Sequence, residues 1–195
     1  MKMHEGMKKG WCGLLLALPL YGFADAANPD LIAGYTTQQL ADKLPVAVDG
    51  LKRRSANVDA HNHTVEAEYM EAATKRKALV TLYTLPADKN GQIPEARDDS
   101  DLEAVVASAE KEMLRQRIRP EKIELAVEGG PKIRCLRTLI NNQVVHLLCA
   151  SLIRGRVMEI QPVSLVDDKA FDAAMQRSTN LVMELNRSVA APDKK

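Results

Sequence analysis

The chain has 195 residues, with 27 basic residues against 26 acidic ones, and aromatic residues make up only 4% of it. This near-neutral balance argues against nucleic-acid binding, which usually needs a basic excess. The shortage of aromatic rings argues against sugar sites and single-strand nucleic-acid sites. After the first 26 residues, no apolar run approaches the about 20 residues of a membrane-spanning helix, so we expect no integral membrane span in the mature chain.

The first 26 residues have the three-part pattern of a secretory signal peptide. Three lysines precede an uncharged, mostly apolar run over residues 11–23. Ala24 and Ala26 then supply small residues at the −3 and −1 positions of a cut before Ala27. The apolar run is too short for a membrane anchor and contains Pro19. We therefore expect residues 1–26 to be removed on export to the periplasm. They carry three lysines and two acidic residues, so 24 residues of each sign would remain.

Local signals predict one helix and three strands in the first part of the domain. Thr36 and Gln39 form a capping box at the start of a short helix, and Pro45 ends that helix. Alternation of apolar and polar residues predicts a half-buried strand at residues 64–73. Two further strands are predicted at residues 51–58 and 77–85, the latter rich in β-branched and aromatic residues.

A polar loop and a second helix follow. Two prolines and an Asn-Gly pair mark residues 86–99 as a loop. Ser100 and Glu103 predict a capping box at the start of a helix that runs to about Arg117. The helix has a single apolar stripe, formed by Leu102, Val105, Val106, Ala109 and Met113.

The remaining sequence predicts four strands and a last helix. The strands are expected at residues 121–128, 132–140, 144–153 and 157–164. The strand at 144–153 is apolar on both faces, so we expect it inside the sheet and covered on both sides. Asp167 and Asp168 suit the N-terminus of the last helix. The order α-βββ-α-ββββ-α predicts one α+β domain over residues 27–190, with a mainly antiparallel sheet of about six or seven strands flanked by helices. Residues 191–195 are expected to be a disordered tail.

The two cysteines of the mature chain, Cys135 and Cys149, predict a disulfide bond. An even number of cysteines in an exported protein is typical of a disulfide. If residues 141–143 form a three-residue loop, Ile140 faces Val144 and Cys135 faces Cys149 on adjacent antiparallel strands, close enough to bridge. A two-residue loop would shift this register. Because the spacing is not C-x-x-C, we expect a structural bond rather than a redox pair.

The chain resembles the PsbP-like α/β/α sandwich family in the order of its elements and in several segments. The similar segments are Leu44-Pro45, Gly50-Leu51-Lys52-Arg53, residues 77–85 with the following Ile93-Pro94, the helix at Ser100, and the hairpin at 132–153. They span most of residues 36–190. That family includes extrinsic photosystem proteins, a nuclear-import factor that binds Ran, and many bacterial exported proteins. The resemblance implies a binding or accessory role without enzymatic activity, and it assigns no functional residue.

Residues 59–63 form the one local cluster of metal-ligating side chains. In an extended segment His61 and His63 would point to the same side, and Asp59 or His146 could complete a metal site. The alternative is a polar turn between two strands, for which Asp and Asn are well suited. We favour the turn and expect no bound metal, no cofactor and no catalytic residue.

The other titratable residues have simpler interpretations. His146 lies on a strand that is otherwise apolar, where it is either a buried acid or base or, as we favour, a hydrogen-bonded core or sheet-edge histidine. The carboxylate pairs at 98–99 and 167–168 precede predicted helices, where negative charge is favourable without catalysis. Glu66 and Glu68 line one face of a strand and are expected to be solvated.

Two short basic runs, Lys52-Arg53-Arg54 and Lys75-Arg76-Lys77, have a charge that fits an anionic lipid surface or an acidic partner. The neutral total charge and the nearby glutamates favour solvated strand ends instead.

These observations together predict a non-catalytic periplasmic binding or accessory protein that contacts another envelope protein. One alternative is an immunity or inhibitor protein against a secreted toxin or hydrolase. A second is a metal-dependent enzyme that uses His61 and His63. The expected contact surfaces are the loop at 86–99 and the turn at 59–63, because loops on a rigid scaffold often carry binding residues.

Overall fold

A computed structural model describes residues 30–166 and 170–192, which form one eight-stranded sheet and three helices. The predicted signal peptide, Asp167, Asp168 and the last three residues of the predicted tail lie outside the described residues. The helices are α1 (Thr37–Lys43), α2 (Asp99–Arg115) and α3 (Phe171–Ala190). The strands are β1 (Ala47–Val48), β2 (Leu51–Asp59), β3 (Thr64–Glu71), β4 (Arg76–Tyr83), β5 (Glu121–Ala126), β6 (Lys132–Ile140), β7 (Val144–Ile153) and β8 (Arg156–Leu165).

The α+β class is confirmed, but the strand count and order differ from the prediction. Four strands, not three, precede α2, because the two-residue β1 pairs with the start of β2 across the tight turn at Asp49 and Gly50. The sheet order is β1-β2-β3-β4-β8-β7-β6-β5, and every neighbouring pair is antiparallel. Two four-strand meanders therefore meet along a single seam between β4 and β8.

The predicted register of the β6–β7 hairpin is confirmed. Ile140 pairs with Val144 across a three-residue loop, and Cys135 pairs directly with Cys149. The two sulfur atoms are joined in a disulfide, and each cysteine is only 1% exposed. The bond ties the two strands together within the main hydrophobic core.

The helix termini agree with the sequence prediction at α1 but not at α2. The Thr36–Gln39 capping box is present at α1. The N-cap of α2 is Asp98, two residues before the predicted Ser100. There the Asp101 carboxylate accepts hydrogen bonds from the backbone N–H groups of Asp98 and Arg97 at 3.2 and 3.1 Å. Asp98 and Asp101 have the same three-residue spacing as Ser100 and Glu103 and come two residues earlier. The helix starts at this earlier pair.

The helices cover the two faces of the sheet unequally. We call the surface that carries α1 and α3 the two-helix face and the surface that carries α2 the one-helix face. Leucines and valines of α1 and α3 join the main core, whereas Leu102, Val106 and Met113 of α2 form a smaller cluster with β6 and β7 residues. The expectation that β7 is interior and covered on both sides is confirmed, because α3 packs on one side of it and α2 on the other.

A buried arginine at the start of β8 connects the N-terminal arm to the sheet. The Arg156 side chain is 0% exposed, and its guanidinium donates hydrogen bonds to the backbone oxygens of Asp30, Ile32 and Tyr35 at 3.1 to 3.4 Å. The Asp30 carboxylate lies 3.6 Å from the guanidinium and accepts from the backbone N–H of Thr37 at 2.8 Å and from the Thr37 hydroxyl. These contacts fix the arm and the first turn of α1.

The turn before Arg156 contains a glycine because the N-terminal arm passes close to its backbone. Gly155 has a φ of +74°, and a Cβ there would approach the Cβ of Ala33 in the arm to 2.9 Å. Both the left-handed backbone and the close approach of the arm favour a residue without a side chain.

Reduction of the disulfide is expected to lower the thermal stability of the protein. Closing a loop of about 15 residues stabilises a protein by about 3 kcal/mol in the chain-entropy model, equivalent to roughly 6–12 °C in Tm for a chain of this size. Because both cysteines are buried, the protein is unfolded and refolded in reductant before calorimetry. A Cys135→Ala/Cys149→Ala variant should melt lower than the oxidised wild type and show no response to reductant. Equal melting of wild type with and without reductant would contradict a stabilising bond.

Replacement of Asp30 by alanine is expected to destabilise the protein by about 3–5 kcal/mol, because it leaves the buried Arg156 without its carboxylate partner. Asp30→Asn, which keeps an oxygen acceptor for Thr37, should cost less. Asp42→Ala is the matched control, because this exposed α1 carboxylate accepts a hydrogen bond from the Gln38 side chain and from no other described residue. Its cost should stay within about 0.5 kcal/mol. The measurement is chemical denaturation at pH 7.

The same contacts give a defined pH dependence. Burial alone would raise the pKa of Asp30, but hydrogen bonds from Thr37 and His63 and the charge of Arg156 outweigh it and hold the pKa below its ordinary value. The stabilisation is therefore complete above the ordinary carboxylate pKa of about 4 and is lost as the pH falls through the lower folded-state pKa. The stability difference between wild type and Asp30→Asn should shrink in that acidic range. A difference that stays constant with pH would contradict the role of the Asp30 charge.

Candidate binding surface

The predicted His61–His63 cluster is a turn in which the two histidines have different roles. His63 has a φ of +54°, so the segment is not extended as the metal-site hypothesis assumed. The His63 ring lies 3.1 Å from the Asp30 carboxylate, and Asp59 accepts hydrogen bonds from the backbone of His61 and Asn62. In the described part of the chain, no three His, Cys, Asp or Glu side chains group so that they could hold a metal ion.

The loop between β4 and α2 is also organised by its own hydrogen bonds. The Asp88 carboxylate accepts from the backbone N–H groups of Asn90 and Gln92 at 2.8 and 2.9 Å. Ala96 is buried, and its N–H donates to the Gly155 carbonyl at 2.9 Å. The carboxylates at Asp59 and Asp88 therefore serve to stabilise their own turns.

His146 is half-buried on the one-helix face and belongs to a polar chain that crosses three strands. Burial lowers the pKa of its ring, while a side-chain hydrogen bond to Gln161 and the charge of Glu159 oppose that shift. Gln161 donates to one oxygen of Glu159 at 2.6 Å, and the Tyr83 hydroxyl lies 3.5 Å from the other. Burial and the adjacent Glu159 raise the pKa of Tyr83 to about 12. The favoured sequence interpretation was a hydrogen-bonded histidine, and His146 has this environment.

The two basic runs of the sequence are each divided between the faces of the sheet. Arg53 lies on the two-helix face, where it donates to the carbonyls of Leu44 and Ala41 at 2.9 and 3.3 Å and so caps the end of α1. Arg76 is buried and pairs with the carboxylates of Asp49 and Glu71. These two arginines are structural, whereas Lys52 and Lys77 next to them point toward the other face because side chains alternate along a strand. Lys75 lies in the turn before β4.

The strand register brings three of the four remaining cations of the two runs together on the one-helix face. Lys52 pairs with Met70, Met70 with Lys77, and Lys77 with Val163, so one residue from each of four adjacent strands forms a transverse row. Arg54 joins the group through an irregularity in the β2–β3 register between Arg53 and Ser55. In the described residues, none of the three cations has a carboxylate within ion-pair distance. The sequence alone could not show this convergence, because the runs are far apart along the chain.

These cations surround an exposed apolar region that none of the three described helices covers. Met70 is 42% exposed, and Leu79 and Val163 are half-buried. A depression of about 430 Å³ lies over this region. We define the open floor as the part of the one-helix face formed by Lys52, Arg54, Glu68, Met70, Lys77, Leu79, Gln161 and Val163.

Helix α2 lies over β6 and β7 and forms a wall beside the open strands. A second depression of about 320 Å³ separates this wall from β4 and β8. Val105 and Ala109 of α2 line it on one side, and Tyr83 and Glu159 line it on the other. The floor and this depression are neighbours beside α2, and no described helix lies over them. Within the described residues, no helix is both long and apolar enough to cross a membrane.

No family model, no curated protein and no solved structure matches this chain. The PsbP-like relationship therefore stays a prediction from the sequence.

His146 is expected to titrate below its ordinary pKa of about 6.5. In the Gln161→Leu variant the pKa should fall further, because the hydrogen bond that the ring donates to the Gln161 side chain opposes the effect of burial. The ring carbon shifts of His146, followed by NMR across pH 4–8, measure both values, and the unfolded protein in urea supplies the reference. A His146 pKa at or above the reference would contradict the half-buried environment.

Proposed function

We propose that this protein is a non-catalytic accessory protein of the cell envelope that acts by binding another protein on the open floor. The single observation that carries the proposal is the convergence of Lys52, Arg54 and Lys77 around the exposed Met70 on a sheet face that helices cover only in part. Exposed apolar area bordered by charge is typical of protein–protein contact surfaces.

The environment of the nearby polar groups supports binding rather than catalysis. With its pKa raised to about 12, Tyr83 is a poor proton donor or acceptor near neutral pH. Glu159 and Gln161 are hydrogen-bonded to each other across the surface of β8. These side chains form a fixed polar surface next to the apolar part of the floor, which is suited to orienting a partner.

The envelope location rests on the sequence and is compatible with the disulfide. The pattern of residues 1–26 predicts export, and disulfides such as Cys135–Cys149 are typical of oxidising compartments. The PsbP-like resemblance implies the same class of accessory role. The floor replaces the loop at 86–99 and the turn at 59–63 as our preferred contact surface, because the carboxylates in those segments stabilise their own turns.

Site-specific photo-cross-linking tests this function. A photoreactive benzoylphenylalanine replaces Met70 on the floor, Asn90 in the loop, or Gln176, which is exposed on α3 and serves as the matched control on the opposite face. Irradiation of intact envelopes should give one discrete adduct from position 70 and none from position 176. Adducts only from position 90 would contradict binding on the floor and would assign the contact surface to the loop at 86–99. The same adducts from positions 70 and 176 would contradict a specific surface.

A further inference from the structure

The two faces of the sheet carry different numbers of helices, and the difference leaves room for one more. Two helices, α1 and α3, pack on the two-helix face, whereas α2 is the one described helix on the opposite face. The uncovered strands β2, β3, β4 and β8 are neighbours in the sheet. At about 4.8 Å per strand they span about 14 Å between the outer two, and a helix with its side chains is about 10–12 Å across. One helix can lie beside α2 on this floor.

The chemistry of the floor defines the helix that would fit. Met70, Leu79 and Val163 offer apolar contact near one end of the open strands, with Val163 beyond Lys77 in the transverse row. Lys52 and Lys77 lie directly on either side of Met70, and Arg54 lines the same depression. An apolar stripe over Met70 would therefore have cations on both of its sides. Charge complementarity requires acidic residues along both edges of that stripe.

The wall and the remaining acidic groups add further restrictions. Val105 and Ala109 are half-buried on the flank of α2 that faces the second depression, so a neighbouring helix would meet small apolar side chains there. Glu68 on the floor and Glu159 near the wall repel an acidic residue placed directly above them. The acidic positions are thus restricted to the end of the floor where Lys52 and Lys77 lie.

We propose that the open floor binds one amphipathic helix of a partner protein. Its apolar stripe contacts Met70 and Leu79, and its flanking acidic residues pair with Lys52 and Arg54 on one side and with Lys77 on the other. This inference rests on the proposed function and specifies the partner's contacting segment. The partner's helix would lie beside α2, the one described helix on this face. Burial of an amphipathic helix face in a groove is an established mode of peptide recognition.

Two synthetic helices test the proposal against each other. Both are 18-residue, hydrocarbon-stapled, fluorescein-labelled peptides with the same leucine stripe, and the stripe is flanked by glutamate in one and by lysine in the other. Binding to the protein purified after export is followed by fluorescence anisotropy, and the contact surface by amide NMR shifts. The glutamate peptide should bind at least tenfold more tightly than the lysine peptide. It should shift the amides of Met70 and Leu79, and it should weaken as salt rises.

Charge reversal on the floor supplies the matched control. Lys52→Glu/Lys77→Glu should abolish the preference for the glutamate peptide or invert it. Lys111→Glu is the control, because Lys111 is exposed on α2 and has no ion-pair partner among the described residues. Since the three lysines are exposed, thermal melting of each variant should match wild type and show that the fold is intact.

Several outcomes would overturn the proposal. Equal binding of the two peptides, or shifts confined to the two-helix face, would contradict the assigned helix. Lysine-dependent binding to phosphatidylglycerol vesicles without binding of the glutamate peptide would assign the floor to a membrane surface. A dimer in sedimentation that Met70→Arg abolishes would assign it to a second copy of this chain.

The two proposals can fail separately. A discrete adduct from position 70 without glutamate-peptide binding would overturn the helix and leave the protein-binding function in place. If there is neither an adduct from position 70 nor binding of the glutamate peptide, both the proposed function and the helix-binding inference are wrong.

Discussion

The buried guanidinium of Arg156 is the interaction on which the arrangement of the chain depends. A positive charge in the interior is costly unless an opposite charge and hydrogen-bond acceptors are close. Here burial lowers the pKa of Arg156 and the carboxylate of Asp30 opposes that effect. Three carbonyls of the N-terminal arm and the Thr37 hydroxyl accept hydrogen bonds from the two terminal nitrogens, whereas the buried Nε has no hydrogen-bond partner among the described residues. The arm, the start of α1 and the turn at His63 must therefore converge at the top of β8.

Strand β8 connects the buried Arg156 to the surface that we assign to binding. It begins at Arg156 in the interior and ends at Leu165, which is exposed. Between these ends it alternates faces, so Met158 and Ile160 enter the core while Glu159, Gln161 and Val163 reach the one-helix face. Because one strand carries both the buried charge and part of the floor, that part of the floor is anchored in the interior. A rigid floor binds with little loss of conformational freedom.

Local signals in the sequence predicted most of the elements but not their combination. The capping box at Thr36 and the Cys135–Cys149 register follow from spacings of a few residues, and both are confirmed. The start of α2 was wrong because two pairs of equal spacing compete within six residues, and Asp98 lies first. The fourth strand was missed because Ala47–Val48 is too short to show a period.

The candidate surface was hidden from the sequence for a different reason. Lys52 and Lys77 face the same Met70 only because β3 pairs with both β2 and β4, and pairing of this kind has no local signature. The basic runs were expected to be solvated strand ends as whole segments. In each run, instead, one arginine forms hydrogen bonds or ion pairs inside the fold, whereas its basic neighbours are exposed. The linear sequence of charges does not distinguish a structural arginine from an exposed cation.

The sheet order also has a kinetic consequence. Within each four-strand meander every pairing is between consecutive strands, so both halves are rich in local contacts that close quickly. The halves meet only where β4 pairs with β8, residues 77–83 against residues 157–163. Pairing of β4 with β8 costs the conformational entropy of closing a long loop. We therefore expect it to be the late step of folding. The floor takes residues from both sides of this seam, so a half-folded chain displays no complete surface for a partner to recognise.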